Sequence, residues 1–170
     1  DYNEIIEAIK KERKFAFKFL ISNNNYIEDK VISIGIKTEK IITQIIDLKD
    51  NKEEFINSFR AVFEDNTIEK IGHDLKSDIV ILSRFGIDIE NITFDSMIAG
   101  YLIDPSQSSY SINNISKEYL NYYGIDEESL LGKGKSKRSF EDLSEEETSE
   151  YISFVLDTVF NVESKMKEII

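Results

Sequence analysis

The chain has 170 residues, with 33 acidic and 21 basic side chains and a formal net charge of −12. A charge of this sign and size repels nucleic-acid phosphates, so any nucleic-acid role needs a local basic patch or a neighbouring domain. There is no cysteine and only one histidine, His73, which excludes disulfides, thiolate metal sites and polyhistidine metal sites. No apolar run reaches the roughly 18 to 20 residues of a membrane span, so we expect no membrane association.

The first predicted elements are three strands in an antiparallel meander that opens the fold. They are KFAFKFLIS at 14–22, VISIGIKT at 31–38 and KIITQIIDL at 40–48. In the first strand, side chains alternate between two faces, and both faces are apolar except at Lys18. Continuous apolarity predicts a strand covered on both sides, where a charge is costly unless another group pairs with it.

Alternating strands and helices follow the meander. The pattern predicts a helix from Asn51, a strand at 70–74, a helix that stops at Gly86, a strand at 91–95, and helices at 96–104, 111–123 and 144–170. Strands that alternate with helices form parallel crossovers. The predicted fold class is therefore α/β: a mixed sheet with helices on both faces, in a single domain.

The sequence blocks resemble the 3′ to 5′ exonuclease domain of bacterial DNA polymerase I, a ribonuclease H-like fold of the DnaQ-like exonuclease superfamily. The resemblance is carried by KFAFKFLIS, GHDLKSDIVILSRFGIDI at 72–89, FDSMIAGYLIDPSQSSYSI at 94–112, GKG at 132–134 with Phe140, and EYISFVLDT at 150–158. It covers essentially the whole chain. It implies that residues 1–170 are one domain of a longer polymerase chain, consistent with the absence of an initial Met.

The resemblance also implies which positions once formed a nuclease site. In active members, an Asp-x-Glu pair on the first strand and two further aspartates hold two divalent metals, and a tyrosine places the attacking water. The corresponding residues here are Lys18 and Leu20, then Asp78 and Val155, with Tyr151 as the tyrosine. Three of the four metal ligands are absent. We therefore expect no active catalytic residue, no metal and no cofactor; Mg²⁺ would be required only if other ligands supported activity.

The two charged residues of this set carry opposite signs, so we predict that Lys18 pairs with Asp78 in the space of the lost cation. The alternative for Lys18 is a solvent-accessible strand end with no specific partner. The alternative for Asp78 is an ordinary exposed carboxylate. A substitute metal site of Asp78 and Asp157 is disfavoured, because Asp157 points about 200° away from Val155 on the last helix.

Three other polar residues have structural interpretations, and a fourth lies at a position implied to bind DNA. Asp74 and Asp95 each precede a predicted helix and are interpreted as N-caps. His73 ends a strand and is interpreted as a structural histidine. Relatives of this kind stack single-stranded DNA on apolar and aromatic side chains, and the resemblance places Glu127 at one such position.

The only basic cluster is GKGKSKR at 132–138, which contains Lys133, Lys135, Lys137 and Arg138. Its glycines and serine favour a mobile surface loop over a phosphate-contact site.

Three functions remain open from the sequence. The preferred one is a degenerate domain with a structural role in a polymerase large fragment. Its partner is the polymerase domain of the same chain. The domain would contact DNA and take part in replication and repair only as part of that chain, in the bacterial cytoplasm. The isolated domain is expected to be monomeric. The alternatives are an active 3′ to 5′ exonuclease with other metal ligands and a passive single-stranded nucleic-acid-binding module.

Overall fold

A computed structural model describes residues 2–22 and 30–170. Its sheet has five strands in the order β3-β2-β1-β4-β5. The strands are β1 (Lys14–Ile21), β2 (Val31–Lys37), β3 (Gln44–Asp47), β4 (Glu69–Gly72) and β5 (Ile92–Asp95). β1, β2 and β3 pair antiparallel, whereas β4 pairs parallel with both β1 and β5. The predicted meander and crossovers are confirmed, although β3 is shorter than the predicted strand at 40–48.

The helices surround this sheet. They are α1 (Asn3–Glu12), α2 (Lys52–Glu64), α3 (Lys76–Arg84), α4 (Ser96–Ile103), α5 (Ile112–Leu120), α6 (Glu127–Leu131) and α7 (Glu145–Ile169). Short 3₁₀ turns lie at Gly134–Ser136 and Phe140–Asp142. The expectation that strands open the fold was wrong, because α1 precedes β1 and buries Ile5 and Ile9. Within the described part of the chain, no helix is long and apolar enough to cross a membrane.

β1 supplies side chains to two separate apolar cores, one on each face of the sheet. Phe15, Phe17 and Phe19 join the core formed with α1, α2 and α3. Ala16 and Leu20 join the core formed with α4, α5 and α7. Helices therefore cover both faces, as predicted.

Close packing of α7 on the sheet depends on a glycine in β2. A Cβ atom at Gly35 would overlap the side chain of Ile152, which is fully buried. Since Gly35 lacks that atom, α7 can approach the strand directly. This contact fixes the position of the helix that carries Tyr151 and Val155.

The predicted site residues lie where β1 and β4 stop pairing. Their parallel register includes only Lys14, Phe15 and Ala16 on β1. Beyond Ala16, β1 continues to Ile21 while β4 ends at Gly72. A gap therefore opens beside Lys18 and Phe19, and the start of α3 fills it.

Candidate functional site

A cleft of about 400 Å³ lies at this gap. The residues that line it include four predicted site residues, Lys18, Leu20, Asp78 and Tyr151. The fifth, Val155, is buried in the same core cluster as Leu20 and Tyr151. The fold thus brings the positions chosen from the sequence into one region, although Lys18 and Asp78 are 60 residues apart in the chain.

Lys18 and Asp78 form the predicted ion pair. The Lys18 Nζ lies 3.3 Å from Asp78 Oδ2. It also donates to the backbone carbonyls of His73 and Asp74, each at 3.4 Å. The other carboxylate oxygen, Asp78 Oδ1, accepts the backbone N–H of Phe19 at 2.9 Å. The side chain of Asp78 is 1% exposed and that of Lys18 is 19% exposed, so the alternatives of an exposed aspartate and an unpartnered lysine are wrong.

Burial and the neighbouring charges have opposite effects on the pKa values of Lys18 and Asp78. Burial alone would lower the pKa of Lys18, but the carboxylates of Asp78, Asp74 and Asp95 outweigh it and raise that pKa above its ordinary value. Burial raises the pKa of Asp78, against the opposing effects of the Lys18 ammonium and the Phe19 N–H. Lys18 is therefore a permanent cation at neutral pH.

The buried side chain of Tyr151 lines the cleft. Its ring lies 5.5 Å from that of Phe140, centroid to centroid. Burial raises its pKa, and its hydrogen bond to the Glu127 carboxylate adds to this effect. Glu127 is exposed at the first residue of α6 and lines the cleft. The cleft therefore presents a carboxylate at the position where the resemblance implied a base-stacking side chain.

His73, Asp74 and Asp95 form a supporting network behind Lys18. The Asp95 carboxylate caps α4 by accepting the N–H groups of Met97 and Ile98, as predicted. It also accepts the N–H of Asp74 at 2.9 Å, which joins β5 to the turn after β4. The N-cap interpretation of Asp74 was wrong. Asp74 has a left-handed backbone with φ of 57°, and the N-cap position of α3 is occupied by Leu75, whose side chain makes no capping hydrogen bond.

The buried His73 has the structural role that the sequence suggested. Its Nδ1 lies 2.7 Å from Ser96 Oγ at the start of α4. Burial, with the nearby Lys18 ammonium, lowers the pKa of His73 to about 4. The imidazole is therefore neutral at physiological pH.

The side chains at the cleft do not fit a pair of divalent metals. Such ions require several oxygen ligands, whereas Leu20 and Val155 offer none and the oxygens of Asp78 already accept two hydrogen bonds. Over residues 2–22 and 30–170, no group of three or more His, Cys, Asp or Glu side chains is arranged to hold a metal ion. Asp157 lies 3.4 Å from Lys37 and lines a different groove, which confirms that it points away from the cleft.

The basic segment at 132–138 is on the surface, as predicted, but it contains a 3₁₀ turn and two ion pairs. Lys133 lies 2.6 Å from Glu128, and Arg138 lies 3.0 Å from Glu147. Lys135 and Lys137 are exposed. Part of the positive charge of this segment is thus neutralised within the chain.

The family assignment follows from comparison with known proteins. The family model described as DNA polymerase I, ribonuclease H-like domain, matches residues 17–156. The chain belongs to this family. The match confirms the family predicted from the motifs, and it contains every residue of the cleft discussed above.

Curated relatives include bacterial DNA polymerases I. That of Borreliella burgdorferi is 28% identical over 168 residues, covering 95% of this chain and 18% of the relative. That of Geobacillus stearothermophilus is 27% identical over 132 residues, covering 76% of this chain and 14% of the relative. The chain therefore spans less than a fifth of the length of either polymerase.

Solved structures share the fold of this DNA polymerase I domain. A structure titled the POL domain of Pol1 from M. smegmatis, in complex with DNA primer-template and dNTP, has a TM-score of 0.73 at 14% identity. The match covers 98% of this chain and 26% of that one. Trypanosoma brucei RNase D in complex with GMP has a TM-score of 0.79 at 12% identity, covering 96% of this chain and 53% of that one. These matches confirm the ribonuclease H-like α/β fold.

Proposed function

We propose that this chain is a degenerate exonuclease domain that has lost metal-dependent nuclease chemistry and serves as a structural module of a DNA polymerase I-type enzyme. The observation that carries the proposal is the ion pair of Lys18 and Asp78, 3.3 Å apart at the family's metal-ligand positions. The lysine supplies one positive charge where active members hold cations. Asp78 is therefore neutralised without a metal.

The chemistry of a lysine ammonium in place of metal ions argues against residual nuclease activity. Two-metal hydrolysis requires ions that clamp both the attacking and the leaving oxygen of a phosphodiester. An ammonium group cannot ionise a bound water or coordinate two oxygens at metal distances. Because Lys18 stays protonated, it also repels an incoming divalent cation. Leu20 and Val155, each 2% exposed, complete the site with apolar surface.

The surroundings of the cleft support a structural role over passive binding of a nucleic-acid strand. Glu127 adds negative charge at the cleft, and the net charge of the chain is −12. Lys133 and Arg138 already pair with carboxylates of the same chain. Phosphate attraction, which dominates the affinity of most nucleic-acid-binding proteins, is therefore weak at this surface.

The proposal extends to the setting of the domain. Residues 1–170 form a single folding unit of a longer polymerase chain, whose polymerase domain is the partner of this unit. DNA contact, replication and repair belong to the parent enzyme in the bacterial cytoplasm. The bacterial DNA polymerases I among the relatives support this setting, since the chain matches only 18% of the B. burgdorferi enzyme.

The test is a metal titration and a nuclease assay on the purified chain. We expect no saturable Mn²⁺ binding by calorimetry and no trimming of labelled single-stranded DNA in Mg²⁺. The matched control is the triple variant Lys18→Asp, Leu20→Glu and Val155→Asp, which restores the family's carboxylates and should gain Mn²⁺ binding if it folds. An active 3′ to 5′ exonuclease validates the DNA assay. Micromolar Mn²⁺ binding or Mg²⁺-dependent trimming from the 3′ end by the unaltered chain would refute the proposal.

A further inference from the structure

A second concave surface lies away from the cleft, between α7 and the segment that joins α5 to α6. We call it the tyrosine groove. It has a volume of about 830 Å³, and the residues that carry the argument are Tyr122, Tyr123, Glu150, Phe154 and Asp157. Tyr122 is 59% exposed and Tyr123 is 71% exposed. Large aromatic side chains at such exposure are enriched at protein interfaces.

The tyrosines are held in place by the backbone that carries them. Asn121 ends α5 in the left-handed conformation, with φ of 53°. The carbonyl of Tyr122 accepts the hydroxyl of Ser116 at 2.9 Å, and the N–H of Gly124 donates to Asn113 Oδ1 at 2.8 Å. A binding surface fixed in this way loses little conformational entropy when a partner docks.

Glycine at position 124 allows the segment to lie on α7. A Cβ atom there would overlap the ring of Phe154. Because Gly124 has none, its backbone rests on that ring, and Tyr122 packs beside it with ring centroids 6.1 Å apart. Phe154 thus supports the tyrosine segment and contributes aromatic surface to the groove.

The charges of the groove have one sign. Glu150 and Asp157 line it from α7, and no Lys, Arg or His is among the described residues that line it. Both carboxylates are exposed, but Asp157 lies 3.4 Å from Lys37 Nζ, so Glu150 is the one that can pair with a ligand. Aromatic faces attract cations, and the chain already shows this at the edge of the groove, where Lys117 Nζ lies 5.5 Å from the Tyr123 ring centroid.

We propose that the tyrosine groove docks an extended, arginine-containing segment of a partner protein. The guanidinium group both stacks on aromatic rings and pairs with carboxylates, so it matches the two features of this groove. A nucleic acid would use the tyrosines for stacking but would bring phosphates beside Glu150. Charge complementarity therefore favours a basic peptide over a nucleic acid.

The probe is a fluorescein-labelled decapeptide of alternating arginine and alanine, titrated with the 170-residue chain at physiological salt and followed by anisotropy. We expect Tyr123→Ala and Glu150→Gln each to weaken binding at least fivefold. Two matched controls should keep the dissociation constant within twofold. Glu168→Gln makes the same charge change at the exposed far end of α7, and Tyr101→Ala removes an exposed tyrosine from α4. Circular dichroism checks that each variant folds.

Three results would overturn this proposal. The first is no measurable peptide binding up to millimolar protein. The second is an equal loss in Glu168→Gln and Glu150→Gln, because the attraction would then be the general one of an acidic protein. The third is tighter binding of a ten-residue oligothymidine at the same salt, abolished by Tyr123→Ala, which would make nucleic acid the occupant. None of these results bears on the loss of nuclease activity.

Discussion

Replacing Lys18 by Met tests whether the ion pair stabilises the fold. Asp78 is 1% exposed and has two hydrogen-bond donors, Lys18 Nζ at 3.3 Å and the Phe19 N–H at 2.9 Å. The Lys18→Met variant removes the lysine donor, so the buried Asp78 carboxylate keeps only the Phe19 N–H. An unsatisfied buried group costs roughly 1 to 3 kcal/mol, and breaking a buried ion pair costs roughly 3 to 5 kcal/mol.

The geometry of the contact indicates that the loss of stability lies in the lower of these two ranges. The contact is longer than the roughly 2.7 to 2.9 Å of a strong charge-assisted bond, and the Lys18 side chain is 19% exposed. We therefore expect Lys18→Met to lower the free energy of unfolding by roughly 1 to 3 kcal/mol. Asp78→Asn should cost a similar amount, because it leaves the ammonium with only the carbonyls of His73 and Asp74.

A double-mutant cycle, measured by urea denaturation, isolates the interaction energy of Lys18 and Asp78. The combined Lys18→Met and Asp78→Asn variant should recover part of the summed loss, with a coupling of about 1 kcal/mol, because the two single losses share one interaction. A fully additive cycle would refute the reasoning. So would an experimental structure with water between the ammonium and the carboxylate.

The loss in Lys18→Met should depend on pH. Burial already raises the pKa of Asp78 above its ordinary value of 3.8, and removing the nearby cation raises it further. A carboxyl with a raised pKa takes up its proton more readily in the folded state, so lowering the pH stabilises the fold through this group. The difference between variant and parent should shrink as the pH falls from 7 toward 4. A constant difference would contradict a charged Asp78.

Three further predictions concern binding, titration and packing. Binding of the chain to an oligonucleotide should be weak and strongly salt-sensitive; submicromolar affinity at physiological salt by anisotropy would favour the passive-binding alternative. The imidazole signals of His73 in NMR should titrate near pH 4, and stability should fall as the pH drops from 6.5 toward 4, since the unfolded chain takes up the proton first; titration near 6.5 would contradict its burial. Gly35→Ala should destabilise by roughly 1 to 3 kcal/mol in urea melts, because its methyl overlaps the Cγ2 methyl of Ile152. In an Ile152→Ala background, which lacks that methyl, Gly35→Ala should cost less; an equal cost in both backgrounds would contradict the overlap.

Most of the sheet could be predicted from the sequence, because the pattern of apolar residues along a strand follows which of its faces are buried. β1 is the clearest case, since its phenylalanines face one core while Ala16 and Leu20 face the other. The helix α1 was not predicted although Ile5 and Ile9 have helical spacing, because these two buried residues extend the apolar period over little more than one turn. The short helix α6 carries too few residues for a period to be recognised.

The site was only partly predictable. The family resemblance identified Lys18 and Asp78, and their opposite charges suggested a contact. The sequence could not indicate that Asp78 Oδ1 also accepts a backbone N–H, because that bond depends on where β1 and β4 separate. The double role of Asp95 was missed for the same reason: its cap on α4 is local, whereas its bond to Asp74 joins two strand ends.

The separation of β1 from β4 gives Asp78 a role in the backbone hydrogen bonding of the sheet. β1 lies inside the sheet, yet its backbone beyond Ala16 has no β4 partner to bond with. The Asp78 carboxylate occupies this opening and takes up the Phe19 N–H. A buried backbone N–H needs a hydrogen-bond acceptor. Asp78 supplies that acceptor to a strand N–H that β4 does not reach, so the fold would need an oxygen at this position whether or not a metal binds there.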